Sequence, residues 1–278
     1  HACVWWDSRT HFTPWRQTVW SRNGIPGLKA ESGRYMRSRI PLDEKVQEKK
    51  LMKIIPQGID FMADILFPRR CPVCGGIVLP KGDLICPGCM TKLSWVCRPV
   101  CKKCGKEVLD ETIEYCYDCT RHKRSFDYGL SLINYDDTAS RSMARIKYNN
   151  RREYLDFYSE AMVRKMGKRI RFMGGDALIP VPVHPSRRLS GPLGIPVNTS
   201  ILKRTRKTAP QKSLDSGGRL KNLEQAFTAS VLPSGMKNII LVDDIYTTGS
   251  TIEACTRALR KAGAEHVYFV TVFIGHGQ

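Results

Sequence analysis

The sequence predicts two folded parts: a small cysteine-rich module and, behind it, an α/β domain built on a parallel sheet with helices. Three observations predict this. Eight of the eleven cysteines fall in four evenly spaced CxxC pairs between residues 71 and 119. From Ser125 onward that ladder stops, and apolar strand-like runs alternate with stretches of helical period. Near the C-terminus NIILVDDIYTTGST, residues 238–251, joins a buried strand to a helix through two acids, a row of hydroxyls and a glycine. A chain of 278 residues is long enough for one sizeable core and a smaller module.

Residues 1–51 open on His1 and show no helical or strand period in their first thirty or so positions, so they are expected to be a non-native or disordered extension. The cysteine-rich part is expected over 52–124. It starts with a helix in KIIPQGIDFMADILF, in which Ile59, Met62, Ala63 and Leu66 share one face.

Two cysteines separated by two residues can direct both sulfurs at one ion, and two such knuckles complete the tetrahedral thiolate cage that zinc prefers. Cys71, Cys74, Cys86, Cys89, Cys101, Cys104, Cys116 and Cys119 therefore make two cages. In CPVCGG and CKKCG a glycine follows the second cysteine, where the turn favours a left-handed residue. The gaps between successive pairs are all eleven residues, so spacing alone admits ordered or interleaved pairing. Sequential pairing is expected, giving two zinc ribbons in tandem with Lys81, Gly82 and Asp83 at the turn of the first. Eight thiolates leave no open coordination position, so both ions are expected to be structural. Cys97 and His122 are expected to stand outside the cages, as are Cys3 and Cys255.

The second part, 125–278, is expected to place strands at Tyr128–Ile133, Ala177–Val183, Ile239–Val242 and Val267–Ile274. Helices are expected across Met143–Lys165 and Thr251–Ala262, the latter stopped by Gly263. Ligands of such sheets bind outside the carboxyl ends of the strands, where Asp243 and Asp244 lie. The following helix N-terminus offers free N–H groups and a partial positive charge to a phosphate. The two carboxylates suit sugar hydroxyls or Mg²⁺. A sugar phosphate satisfies both halves of the motif. An ATPase reading, with LVDD as a metal-holding strand, lacks a GxxxxGK[ST] loop anywhere in the sequence.

VDDIYTTGST resembles the ribose phosphate signature of type I phosphoribosyltransferases. Joined to a preceding ladder of CxxC pairs, it resembles the ComF family of competence proteins over about residues 52–278. The resemblance implies that Asp243 and Asp244 hold the ribose hydroxyls of 5-phosphoribosyl 1-diphosphate (PRPP), with Mg²⁺ nearby. It implies that Thr247, Thr248, Gly249, Ser250 and Thr251 wrap the 5′-phosphate. In IPVPVHPSRR it implies a pyrophosphate loop of Val183, His184, Pro185, Ser186 and Arg187. Arg204–Phe227 resembles the mobile basic segment that closes over the site, with Arg206, Lys207, Gln211, Arg219 and Asn222 as candidates. Residues 187–221 carry nine Lys or Arg and one acid, Asp215, as a lid facing a diphosphate requires.

One segment departs from the family. Between the pyrophosphate loop and Gly194-Ile195-Pro196-Val197 the family places a helix, whereas RRLSGPLG is short and rich in breakers, so a truncated segment without a helix is expected near 188–196.

The net charge of +19, from 45 Lys and Arg against 26 Asp and Glu, favours polyanionic partners. No apolar run of about 18 residues occurs, so no membrane insertion and a cytoplasmic location are expected. The resemblance implies an accessory protein of DNA uptake or processing that binds PRPP, meeting DNA-uptake proteins. The alternative is a non-catalytic PRPP sensor or single-stranded DNA-binding protein, a degraded copy of the enzyme. In it Trp95 beside Lys92 and Arg98, and Tyr148 among Lys147, Arg151 and Arg152, would stack bases.

Overall fold

The computed structural model describes residues 68–181, 187–205 and 226–276. Residues 1–51, the helix expected within 53–67, the pyrophosphate-loop residues Val183, His184, Pro185 and Ser186, and Arg206, Lys207, Gln211, Arg219 and Asn222 lie outside the described residues.

Four strands form a parallel sheet: β1 (Gly129–Asn134), β2 (Ala177–Pro180), β5 (Asn238–Tyr246) and β6 (His266–Ile274), in the order β1-β6-β5-β2. Asp243 pairs with Thr271 in the β5–β6 register, and Gly129 pairs with Phe269 in the β1–β6 register. All-parallel strands are buried on both faces. The sequence meets that demand with continuous apolar runs, Ile239 to Val242 and Val267 to Ile274, whose alternate side chains serve two separate cores.

On one face Ile240, Val242, Val270 and Val272 pack against α3 (Asp137–Tyr148) and α4 (Tyr154–Phe172). The Asp136 side chain caps α3 by accepting from the Ala139 N–H at 2.8 Å. The helix expected across Met143–Lys165 is two helices, because Asn150 takes φ +53 and ends the first of them. Asn tolerates that left-handed conformation, so Asn149-Asn150 was the signal for the break.

On the other face Ile239, Leu241 and Phe269 pack against α6 (Ser250–Lys261), which turns Ile252, Cys255 and Leu259 inward. Gly263, at φ +107, ends it as expected. A small antiparallel sheet, β3 (Leu202–Arg204) with β4 (Phe227–Ala229), bounds the basic segment and adds Leu202 and Phe227 to this core.

The expectation of no helix near 188–196 is corrected. Residues Arg187–Leu193 form α5, a helix of seven residues with Pro192 inside it. Leu189 and Leu193, one turn apart, are 2% and 4% exposed. Burying two leucines stabilises by about 3–6 kcal/mol, against about 3 for an interior proline and 1 for a glycine. Arg188 also pairs with Asp156 of α4. The connection is as short as the spacing indicated, and it ends on a parallel bridge between Val197 and Leu178 of β2.

The cysteine-rich part does not stand apart from the sheet. The segment 94–96 between the two ribbons lies antiparallel along the free edge of β1. The Val96 N–H donates to the Leu132 carbonyl at 3.0 Å, and the Asn134 N–H to that of Ser94 at 2.7 Å. This pairing covers an edge that would otherwise be open. From it one ribbon extends over each face. Val78, Leu84, Ile85, Met90 and Leu93 join the α3–α4 core, while Cys101, Cys104, Cys116 and Phe126 join the α6 core. No helix among the described residues is long and apolar enough to cross a membrane.

Candidate functional site

The knuckles pair in sequence order. Cys71, Cys74, Cys86 and Cys89 form one tetrad and Cys101, Cys104, Cys116 and Cys119 the other, with the sulfur atoms of each within 4.8 Å of one another. Zn–S bonds of about 2.3 Å in a tetrahedron place sulfurs about 3.8 Å apart. The Cys74–Cys86 and Cys104–Cys116 pairs lie at 3.9 and 3.5 Å, so both tetrads fit zinc. Each folds on a backbone loop in which the glycine after the second cysteine, Gly75 or Gly105, has positive φ and donates its N–H to the carbonyl of the first. The α1 helix (Pro87–Met90) and α2 helix (Tyr117–Arg121) begin one residue after Cys86 and Cys116 and carry the fourth ligand of each cage.

The two cages differ in burial. Cys74 is exposed, whereas Cys101 and Cys104 are 2% and 0% exposed. Lys106, itself only 4% exposed, sits in the second ribbon and binds Asp118 at 2.6 Å. Cys97 and His122 belong to neither tetrad.

In the α/β part, β5 runs on to Tyr246, so Asp243 and Asp244 lie inside the last turn of the strand's pairing instead of beyond it. Asp243 is 9% exposed, and burial first, then the Asp244 charge, pushes its carboxyl up to about 7. One of its oxygens accepts the Asp244 N–H at 2.9 Å. Asp244 is more open and forms an ion pair with Lys147, the penultimate residue of α3. On the other side, burial pushes the Cys255 thiol of α6 up, and the Asp243 charge adds to it. The acid pair thus stands between α3 and α6, with one cation already on it.

Residues 247–249 turn the chain into α6. Thr247 and Thr248 are exposed, and Gly249 at φ +77 is the helix N-cap, with no side chain satisfying the first turn. Thr248 and Ser250 join their hydroxyls at 3.0 Å. Gly249 is required twice over. Its φ suits glycine, and a Cβ there would stand 2.3 Å from the Tyr246 hydroxyl. Tyr246 is fixed in turn, stacked on Phe269 with ring centroids 4.8 Å apart and against Phe126 at 6.3 Å. We expect Gly249→Ala to destabilise the protein by about 2 kcal/mol while leaving its zinc content unchanged. Thermal melting with metal analysis checks this, and an unaltered melt would show that the loop tolerates a side chain.

The tail of the second ribbon clamps this loop from behind. Arg124 donates to the Thr248 carbonyl at 2.8 Å. Glu253 of α6, 1% exposed, accepts from the Ser125 N–H at 2.9 Å, the Ser125 hydroxyl at 2.6 Å and Arg257 at 2.8 Å.

The structure therefore brings Asp243, Asp244, Thr247, Thr248, Gly249, Ser250 and Thr251 together on one connection. Arg187 opens α5 at the far side of the undescribed loop. Sequence reasoning missed Lys147 as a partner of Asp244, and it missed Arg124 and Glu253. All three act across more than 90 residues or through an element they do not belong to, so no local pattern marks them.

Comparison with known proteins gives two domain matches: a double zinc ribbon domain over residues 62–120 and a phosphoribosyl transferase domain over residues 183–278. Competence protein F of Haemophilus influenzae is 29% identical over 221 residues, spanning 72% of this chain and 95% of that protein. The DNA utilization protein YhgH of Escherichia coli O157:H7 is 25% identical over 187 residues, 61% of this chain and 82% of that one. Competence protein ComFC of Bacillus subtilis is 24% identical over 202 residues, 67% and 82% of the respective chains. The chain thus joins a double zinc ribbon domain, in this order, to a phosphoribosyl transferase domain on a parallel sheet, and it is similar over about two thirds of its length to competence proteins F and ComFC.

Proposed function

We propose that the chain is an accessory protein of DNA uptake or processing in the cytoplasm, whose phosphoribosyltransferase domain binds PRPP. The names of its relatives, competence protein and DNA utilization protein, support the first part. The observation that carries the second is the acid pair at the carboxyl end of β5, followed at once by a glycine-opened helix N-terminus. Asp243 and Asp244 take the ribose hydroxyls. The N–H groups and hydroxyls of Thr247 to Thr251 take the 5′-phosphate. Mg²⁺ held beside the two carboxylates would supply a hard cation for the diphosphate oxygens.

Lys147 holds the countercharge of Asp244 until the sugar and its metal replace it. The family resemblance assigns the diphosphate to Val183, His184, Pro185, Ser186 and Arg187 and to Arg206, Lys207, Gln211, Arg219 and Asn222 of the basic segment, of which all but Arg187 lie outside the described residues. In a transfer reaction a nucleophilic nitrogen bonds to C1 of the ribose as the C1–O bond breaks, and the electron pair leaves with the diphosphate. Fixed cations around that group stabilise the charge as it develops.

Calorimetry of the zinc-loaded chain with PRPP and Mg²⁺ tests the site. Binding is expected for the wild type and a loss of at least about tenfold for Asp244→Asn. No binding by the wild type would overturn the assignment. The high positive charge favours a second reading, a non-catalytic sensor or single-strand binder. Pyrophosphate release with a panel of bases separates the two, since PRPP binding without release on any base supports the sensor.

A further inference from the structure

A cleft separate from the acid pair lies where the second ribbon meets the sheet. An open cleft of about 380 Å³ lies between the ribbon, the start of β1 and the C-terminal half of α4, lined by Arg98, Lys102, Glu111, Tyr128, Gly129 and Arg169 among others. It shares no residue with the acid pair. β1 is two strands from β5, about 10 Å across the sheet, and Gly129 lies level with Phe269 and Leu241, on the amino-terminal side of Asp243.

The charges in this cleft are unbalanced in a specific way. The third cation of the lining, Lys102, is paired with Glu114. Arg98 and Arg169 have no carboxylate within ion-pair reach among the described residues, and Glu111 on the rim pairs with neither. Burial first, and then the opposing Arg98 charge, lowers the Arg169 guanidinium from its usual range. Two guanidinium groups lining one cleft, both on exposed residues, repel, and an anion between them relieves the arrangement.

Guanidinium forks match phosphate oxygens two at a time. Beside them stands an aromatic row: Tyr128 lies edge-on to Tyr268 with centroids 5.0 Å apart, and Tyr268 stacks on His266 at 6.2 Å. Tyr128 is half-buried and lines the cleft, and its ring contact with Tyr268 continues the aromatic row beside it. Phosphate beside ring faces is the chemistry that holds a nucleotide.

We infer that this cleft binds the phosphate ester of a nucleotide, with Arg98 and Arg169 as its paired ligands and Tyr128 and Tyr268 beside the base. The ligand comes either as a free nucleotide or as one unit of a single strand, and the two sources share this recognition. The inference does not depend on PRPP binding at the acid pair.

The test uses the full zinc-loaded chain, wild type against Arg98→Gln/Arg169→Gln. Its probes are a short fluorescein-labelled oligothymidylate, read by anisotropy over a salt series, and thymidine monophosphate, read by calorimetry. The double variant is expected to bind the oligonucleotide about tenfold more weakly at low salt. The slope of log affinity against log salt is expected to fall by about 0.7, the share of the one phosphate that the two arginines hold on a single strand. Weakening confined to the oligonucleotide assigns the cleft to a strand. Weakening of the monophosphate as well assigns it to any nucleotide. Unchanged binding of both, with normal zinc content and melting, overturns the site. Arg98→Gln alone, on an exposed side chain, gives the same reading if the double variant does not fold. Asp244→Asn is expected to bind the oligonucleotide as the wild type does, which separates this cleft from the sugar site.

Discussion

Cys104→Ser is expected to lower the melting temperature by about 10 °C and to reduce the zinc content from two ions per chain to about one, whereas Cys74→Ser should lose one ion with a smaller fall in melting. The difference follows from what each cage supports. Cys104 is fully buried and belongs to the core that contains Phe126, Tyr246 and Phe269. Zinc binding in such ribbons is folding free energy, so a cage that cannot close leaves its ribbon unfolded.

When the second ribbon unfolds, one face of the sheet keeps α6 but loses the ribbon's part of its cover, and Tyr246 loses the Phe126 side of its packing. Arg124 and Ser125, which hold the Thr248 carbonyl and Glu253, are released as well. Cys74 is exposed and lies in the ribbon that packs on the α3–α4 side, in the core cluster that does not contain Tyr246 or Ile252. Metal analysis and calorimetric melting of both variants decide the matter. Equal falls would mean that the ribbons are interchangeable props and that the second has no special hold on the loop after β5.

That coupling was not legible in the sequence, although the cages themselves were. The regular CxxC spacing states the chemistry of the ligands, and glycines after the second cysteine state the turn they need, because both are local requirements. The buried strands were legible for the same reason: a sheet covered on both faces needs uninterrupted apolar runs, and 239–242 and 267–274 supply them. The α5 helix was not, since Gly191 and Pro192 argue locally against it while the burial of Leu189 and Leu193 on α4 is a tertiary gain. The acid pair was placed correctly in the chain but not in its surroundings. Nothing near residue 244 in sequence announces that the end of α3 will put Lys147 on it, and nothing near residue 98 announces Arg169.

Asp243→Asn is expected to move stability and binding in opposite directions. The Asp243 carboxyl titrates near 7 in the folded protein, raised by burial and by Asp244, and near 3.8 when unperturbed. The folded state therefore binds this proton more tightly than the unfolded state. Stability from the neutral form is fully present below about pH 4, declines as the pH rises, and is lost above about 7. Lys147 offsets part of the cost. Asn is neutral at every pH, and its side-chain oxygen can still accept the Asp244 N–H.

At pH 8 the variant should thus be more stable than the wild type by on the order of 1–4 kcal/mol, a gain that shrinks toward zero near pH 4. Sugar and metal binding should fall by about a hundredfold or more, because a hard cation and ribose hydroxyls need the charged form. In the wild type the same affinity should strengthen as the pH rises through about 7 and the carboxylate forms. Melting curves at pH 5 and pH 8, with calorimetry of PRPP and Mg²⁺ at both, measure all three effects. A buried acid kept at a cost to stability is what a binding site requires and a structural cap does not. A variant less stable at pH 8 would identify Asp243 as a structural residue and remove it from the site.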